Sequence, residues 1–485
     1  MIAIADILAR LDSAGLLPEP GPAVDLAVTG ISADSRQVDS GDLYCAIRGY
    51  LHDGHDFLKQ AEAAGAVAAL VENPRAGLGL LQIPVSDARR AAAVAAQVVY
   101  GEPGAALRLV GVTGTNGKST TVHLARHILS RRVSSGSIGT LGAFTGSGVR
   151  ESIGLTTPGP VEFARRLAGL KQDGVECVVA EVSSHALSQG RVDGVTFEVA
   201  VFTNLSRDHL DYHSDFEEYR AAKLRLAELV AADGTLVVNA DESAWSDLPP
   251  LRTVRFGLTA GADYAARDIR VERSGSRWTL VAPGAEVEVG LPLLGEFNVS
   301  NALAAAAVAG VFGLRAGEIA DALSEAPPVP GRLEVLAEGP LVLRDYAHTP
   351  DALRRALAAL QPLTGGRLIV VFGCGGDRDP GKRPLMGQAA AEAADYSIVT
   401  SDNPRSEEPD AIIADILPGL GAARHEVIVD RRAAIARALS IAGREDTILL
   451  AGKGHEDYQI IGDEVRPFDE AVVVRELLAG GRGSS

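Results

Sequence analysis

Gly111-Val-Thr-Gly-Thr-Asn-Gly-Lys-Ser-Thr120 follows the mostly apolar run Leu107–Val110 and precedes a segment with helical spacing that reaches about Ser130. Strand, glycine-rich turn and helix is the context a nucleotide phosphate loop needs. Backbone N–H groups and the helix N-terminus face the phosphates, and a lysine adds positive charge. The long form of the motif is not met, because Val112 stands where its first glycine belongs. The shorter T-G-T-N-G-K-S form keeps the working parts: Gly114 and Gly117 for close approach, Lys118 for the phosphates and Ser119 for a magnesium ion. The alternative, a turn that merely caps a buried helix, leaves the lysine and the serine without purpose.

The 485 residues exceed one ordinary core, and 46 % hydrophobic content supplies several. The pattern predicts an α/β protein of three domains: a small α/β domain at 1–104, a central parallel sheet of phosphate-loop type with an antiparallel addition at 105–330, and a Rossmann-like α/β domain at 331–485. Gly-Glu-Pro-Gly at 101–104 and Ala326-Pro-Pro-Val-Pro-Gly331 read as the linkers. A net charge of −17 argues against a nucleic-acid partner, which needs a basic face, but leaves small anionic substrates open. Cys45, Cys177 and Cys374 lie far apart beside apolar runs and predict buried free thiols in a reducing compartment. With no basic leader and no long apolar run, the expectation is a cytoplasmic protein without a transmembrane segment, and a monomer.

Several strand-like runs end in chemically loaded residues. Val175–Ala180 runs into Glu181-Val-Ser-Ser-His185, and Phe197–Phe202 into Thr203-Asn-Leu-Ser-Arg-Asp-His209. Ligands of open parallel sheets sit beyond the carboxyl ends of strands, so Glu181 and His209 are candidates to face a nucleotide at Lys118 and to bind magnesium or manganese. Ser184 beside His185 lacks the elbow of a serine hydrolase and is expected on a strand. His209 and His213 are spaced as zinc pairs are, but without the intervening glutamate. Ser214-Asp-Phe-Glu217 reads as a capping box. The helix after it carries apolar or aromatic residues at 216, 219, 226, 227 and 230, with Lys223 in the stripe, either snorkelling to solvent or chemically active. Short alternating segments from Asp263 to Leu291 predict antiparallel strands. Asn298 and Asn301 share a helix face, as caps or as readers of an adenine edge. Strands near 341–345, 367–372, 396–401, 426–429 and 446–451 alternate with helices, and polar clusters follow them.

Taken together, T-G-T-N-G-K-S, E-V-S-S-H at 181, T-N-L-S-R-D-H-L-D-Y-H at 203, G-E-F-N-V-S-N at 295, G-R-L-E at 331, D-Y-A-H at 345 and D-N-P-R at 402 resemble the Mur ligases, from about Asp34 to Gln459. Among these the likeness points to the diaminopimelate-adding branch. The resemblance implies ATP-dependent amide bond formation that joins meso-diaminopimelate to UDP-N-acetylmuramoyl-L-Ala-D-Glu through an acyl phosphate, in peptidoglycan precursor synthesis that supports cell shape and division. It implies that Ser35, Leu51, His52 and Asp53 hold the uridine nucleotide, and that Thr156, Thr157, Ser183, Gln189 and Arg191 hold the muramoyl peptide. Gly114, Thr115, Asn116, Gly117, Lys118, Ser119 and Thr120 would hold ATP with Asn298, Asn301, Arg332 and Asp345. Ser119, Glu181, His209 and Lys223, the last as a carbamate, would bind magnesium; Lys118, Glu181, His209 and Lys223 would be catalytic. Arg378, Asp402, Asn403, Pro404, Arg405, Gly452 and Glu456 would bind the amino acid. Leu155 departs from relatives with a polar residue before the Thr-Thr pair, and is left out. Substrates held by different domains would require closure. Lysine-adding or folate-polyglutamate ligases would share the ATP parts but not Asp402–Arg405, and a switch-type ATP-binding protein would lack the acceptor site.

Overall fold

The structure is a computed structural model that describes residues 1–21, 24–49, 52–145, 148–151, 154–209, 212–259 and 261–481. The chain forms two compact units, Met1–Tyr264 with Ala304–Arg315, and Ala265–Leu303 with Ala316–Ser485.

The first unit contains, beside the short pair Ile2–Ala3 with Ala27–Val28, two larger sheets. Ile31–Ser32, Leu43–Cys45, Ala68–Val71 and Leu81–Pro84 pair in parallel in that order. The helix Ala88–Val99 packs on them through a nearly all-alanine face, small side chains that let it lie close to the sheet. The larger sheet runs Gly148–Glu151, Gly142–Thr145, Ser135–Gly139, Cys177–Glu181, Arg108–Thr113, Phe197–Phe202, Val230–Asn239, Arg252–Gly257. From Ser135–Gly139 onward the strands are parallel, and the first two turn back as an antiparallel edge. The central strands are buried on both faces, which explains why Cys177-Val-Val-Ala and Val199-Ala-Val-Phe202 read as unbroken apolar runs. One buried carboxylate ties the two sheets together. Asp193 accepts from Nε of Arg90 on the alanine-rich helix, at 2.6 Å, and from Arg225 beyond the loop.

The strands Tyr264–Glu272, Gly275–Ala282 and Ala285–Leu291, in the second unit from Ala265 on, form the expected antiparallel ladder. A second sheet runs Glu334–Glu338, Leu341–Asp345, Thr447–Ala451, Leu368–Phe372, Tyr396–Val399, His425–Val427, parallel except for its first strand. Helices cover both faces with separate apolar clusters. The α/β class expected from the sequence is the class observed.

Three local expectations need correction. The helix behind Lys223 spans Phe216–Leu224 and is capped by Asp215, whose carboxylate accepts from Glu218 N–H, so the box lies one residue further on than Ser214–Glu217. Ser214 is still engaged, donating its hydroxyl to Glu218 at 2.6 Å. The helix tightens into a 3₁₀ turn at Arg225–Leu229, and Val230 opens a strand, so position 230 is not part of the stripe. Ser184 and His185 lie in the short helix Ser184–Ser188, not on a strand, because Ser183 caps it by accepting from Ala186 N–H. At Gly101–Gly104 a helical turn begins at Pro103. The three cysteines are free and buried. Among the described residues, no helix is long and apolar enough to cross a membrane.

Candidate functional site

The phosphate loop joins the strand Arg108–Thr113 to the helix Lys118–Leu129. Gly114 and Gly117 have φ of 144° and 84°, a region costly for side chains, and a Cβ on Gly114 would overlap the Thr203 hydroxyl. The stretch after the neighbouring strand clasps the loop. Thr115 N–H donates to Asn204 O at 2.8 Å, Asn116 N–H to Asn204 Oδ1 at 2.9 Å, and Thr203 Oγ1 to Asn116 O at 2.8 Å. The Tyr219 phenol meets Thr115 Oγ1 at 3.0 Å. Asn204 and Tyr219 were not singled out from the sequence, because their partners lie far away along the chain.

Lys118 Nζ donates to Gly114 O and Thr115 O at 2.9 and 2.8 Å. Lys223 is buried and does not snorkel: its Nζ donates to Gly114 O at 2.8 Å and stands 4.5 Å from the Tyr219 ring centroid. Burial, then repulsion from Lys118, drives its amine well below the ordinary lysine range, against a weaker pull from Asp208.

Glu181 ends the neighbouring strand and is also buried. Its carboxylate accepts from Ser119 Oγ at 3.0 Å and from Thr140 N and Oγ1 at 2.8 and 3.2 Å. Beside it lies a small, partly open pocket lined by Ser119, His123, Ser137, Leu141, Phe144 and Glu181. His209 has φ of 53° and packs edge-on against His185, with centroids 4.8 Å apart. Among the described residues, no group of three or more His, Cys, Asp or Glu side chains is arranged to hold a metal by itself.

The residues expected at the muramoyl peptide are brought together and joined to Glu181. Thr157 Oγ1 donates to Glu181 O at 2.9 Å and accepts from Ser183 N–H at 3.0 Å. Arg191 donates through Nη1 to Thr157 O at 2.7 Å and grips Gln189 Oε1 through Nε and Nη2. Thr156 meets Thr140 at 3.2 Å. Arg191 is desolvated enough to draw its guanidinium below the usual arginine range, with Arg89 nearby adding to the effect.

In the N-terminal sheet, Ser35 is buried and donates to Gln60 Oε1 at 3.3 Å, while Asp53 caps a 3₁₀ turn. The backbone N–H of His55 and its ring hold the Asp53 carboxyl down at about 2, against its burial. The buried His55 ring accepts at Nε2 from Glu72 and Asn73 N–H, leaving the Nδ1 proton for Asp53 at 2.6 Å. His52 packs edge-on against Phe57. Leu51 lies outside the described residues.

In the second unit, Asn298 and Asn301 are buried and bonded to each other: Asn301 Nδ2 donates to Asn298 Oδ1 at 3.1 Å, and Asn298 Nδ2 to Leu294 O. Asp345 accepts Leu333 N–H at 2.7 Å, and Arg332 lies over the Tyr346 ring. Burial pushes the Asp345 carboxyl up to about 6, with Arg332 opposing.

Asp402, Asn403, Pro404 and Arg405 follow the strand Tyr396–Val399. Arg405 has φ of 52°, held there because its N–H donates to Ile460 O and its carbonyl accepts from Gly462 N–H. Its Nη1 donates to Gly376 O at 2.7 Å, while Nε and Nη2 make no bond among the described residues. Gly452 has φ of 115°, and a Cβ there would strike Asp402. Asn403 Nδ2 donates to Glu456 at 2.8 Å. Arg378 stays exposed, bonded to Asp377 O. The sequence reading missed Arg431, which is fully buried, pairs with Glu470 at 2.8 Å, and donates to the carbonyls of Ser401 and Ala451 at the strand ends that carry the cluster.

Residues 27–100 match the catalytic domain of the Mur ligase family, residues 112–309 the Mur ligase middle domain, and residues 331–454 the Mur ligase glutamate ligase domain. The chain is 44 % identical over 481 residues to a UDP-N-acetylmuramoyl-L-alanyl-D-glutamate–2,6-diaminopimelate ligase of Xanthomonas campestris pv. campestris, covering 96 % of both chains. It is 42 % identical over 476 residues to the enzyme of that name from Syntrophomonas wolfei, covering 95 % of this chain and 96 % of the relative. A solved structure of a ligase of that name superposes with a TM-score of 0.66 at 34 % identity, over 94 % of this chain and 95 % of the other. The fold is shared with MurF ligase of Thermotoga maritima in complex with ADP, with a TM-score of 0.66, 19 % identity and coverage of 94 % and 98 %. By identity sustained across nearly its whole length, the chain belongs to the Mur ligase family.

Proposed function

We propose that the chain is an ATP-dependent acid–amino-acid ligase that adds meso-diaminopimelate to UDP-N-acetylmuramoyl-L-Ala-D-Glu in peptidoglycan precursor synthesis. The observation that carries this reading is the continuous hydrogen-bonded path from Ser119 through Glu181 and Thr157 to Ser183 and Arg191. One end of that path opens on the phosphate loop and the other on groups suited to an anionic peptide, so a γ-phosphate and an acceptor carboxylate are handled by one strand end.

In this reading residues 1–104 hold the uridine nucleotide, 105–330 the ATP and 331–485 the amino acid. The acceptor carboxylate attacks the γ-phosphorus and ADP leaves; the amine of diaminopimelate then attacks the acyl carbon, phosphate leaves, and the amine loses a proton. Lys118 and the loop N–H groups offset the charge that gathers between two anions. Thr157, Ser183, Gln189 and Arg191 orient the peptide.

Ser119 and Glu181 are hard oxygen donors beside a pocket, and magnesium takes one or two carboxylates with phosphate oxygens and waters, so they fit that ion. When bound, magnesium supplies charge neutralisation on the phosphates. His209 and a carbamate on Lys223 complete the proposed ligand set. The nucleotide-linked substrate and free thiols suit a reducing, cytoplasmic setting. The test is ATP-dependent phosphate release with UDP-N-acetylmuramoyl-L-Ala-D-Glu, run with diaminopimelate, with lysine and with neither. Release confined to the diaminopimelate reaction is expected; equal release in all three overturns the assignment.

A further inference from the structure

Lys453 stands between two residues of the amino-acid cluster, yet its side chain is fully buried. The backbone is built to bury it. Gly452 and Gly454 on either side have φ of 115° and 56°, and a Cβ on Gly454 would strike Tyr346. An ammonium taken out of water is costly unless it is paired. Its partners are Asn403 Oδ1 at 3.2 Å and Glu456 Oε2 at 3.4 Å, with the Tyr458 ring centroid 5.7 Å away.

These contacts set two properties of the cluster. Asn403 Oδ1 receives both Lys453 and Ile460 N–H, at 3.0 Å for the latter, so the amide turns its Nδ2 toward Glu456. Glu456 Oε2 therefore receives two donors, while Oε1 receives none from the described residues. Burial raises the Glu456 carboxyl above its usual range; Lys453 and Asn403 oppose the rise and limit it, while Asp402 close by adds to it. Only an ionised carboxylate with a free oxygen attracts an ammonium group.

We propose that Lys453 is a positioning residue: it fixes Glu456 with one oxygen turned free, so that Glu456 can accept an ammonium group of the incoming diamino acid. The proposal rests on the reading of Asp402–Arg405, Gly452 and Glu456 as the amino-acid site. Lys453 touches no substrate and acts through Glu456.

The test is steady-state kinetics on the full chain with each of the three substrates varied, supported by calorimetric Kd values for diaminopimelate. Lys453→Met should raise the KM for diaminopimelate about 30- to 100-fold, the usual cost of stranding one member of a buried charged pair. The KM values for ATP and for UDP-N-acetylmuramoyl-L-Ala-D-Glu should stay within about threefold of the parent. Glu456→Gln should weaken diaminopimelate similarly, and adding Lys453→Met to it should change the Kd by less than about threefold, since the two act as a unit. This second comparison decides the matter even if Lys453→Met alone fails to fold, because the double variant leaves no stranded charge. An unchanged diaminopimelate KM, a parallel rise for all three substrates, or a further tenfold loss in the double variant overturns the proposal. A parent that ignores diaminopimelate overturns the proposed function instead, a result visible before any variant is made.

Discussion

Lys118 and Lys223 converge on one acceptor: both Nζ atoms donate to the carbonyl oxygen of Gly114, at 2.9 and 2.8 Å. Two full charges cannot share that position cheaply, and burial together with the neighbouring Lys118 draws the Lys223 amine well below the ordinary lysine range. The loop thus sets a lysine at the phosphate position beside a second lysine whose charged form is disfavoured by burial.

Lys118→Ala should abolish ligation while the fold persists. The side chain is only half-buried and its bonds go to loop carbonyls, so its loss costs little stability. A drop in kcat/KM of at least ~10³ is expected from losing the phosphate cation. Activity within severalfold of the parent, in a variant that melts like the parent, would remove the phosphate-loop assignment.

A neutral Lys223 amine can add carbon dioxide, forming a carbamate N–C bond and releasing one proton. The product is an anion suited to magnesium. Protein equilibrated with ¹³C-bicarbonate should show one carbamate resonance that is absent from Lys223→Gln, and crystals should show carboxylate-shaped density on Nζ. A free amine in the active, ATP-bound enzyme would refute the modification.

Selectivity for meso-diaminopimelate over L-lysine should depend on Arg405. The two amino acids differ by a distal carboxylate, and the Nε and Nη2 edge of Arg405 is open to a two-point contact while Nη1 is held by Gly376 O. Each charged bond is worth roughly 1.5–3 kcal/mol, so two of them with the penalty for an unpaired guanidinium approach 10⁴-fold discrimination. Arg405→Ala should collapse kcat/KM for diaminopimelate far more than any residual use of lysine. Equal losses for both would contradict the assignment.

Asp345 carries a pH signature. Its folded pKa of about 6 lies above the ordinary carboxylate value of 3.8 that the unfolded chain approaches, so the stability it confers is present below 3.8 and is lost as pH rises through 6. The full shift would correspond to ~3 kcal/mol, which solvent reaching this partly exposed group reduces to about 1 kcal/mol. Asp345→Asn should therefore melt about 2–4 °C higher than the parent at pH 7.5, with the gain fading by pH 4. A gain of equal size at both pH values would exclude the titration. The same substitution should weaken ATP use if Asp345 contacts the nucleotide, the usual exchange of stability for function.

What the sequence revealed and what it hid divide along physical lines. Leu368–Phe372 and Thr447–Ala451 were readable as strands because burial on both faces leaves an uninterrupted apolar run. The phosphate loop was readable because its glycines and lysine are adjacent in the chain. The end of the Lys223 helix was not, since Ala227 is buried as a helical stripe requires although it already lies in a 3₁₀ turn. Ser214 and Asp215 are both good caps, and only the bond to Glu218 N–H distinguishes them. Arg431 and Asn204 stayed hidden because each is defined by a partner dozens of residues away, Glu470 and the phosphate loop, and Lys453 because its burial depends on Asn403, fifty residues earlier, as well as on nearby Glu456.

The carboxylate of Asp193, shared by Arg90 and Arg225, bears on how such a chain can be recombined. A foreign nucleotide-sugar module grafted in place of the first sheet would arrive without Arg90, leaving a buried anion with half its neutralising charge just beyond Gln189 and Arg191. The graft could fold well in isolation and still loosen the acceptor loop. Working chimaeras should therefore carry an arginine at the position of Arg90 whatever the ancestry of the rest of the module, and a library of such hybrids would recover that residue by selection alone.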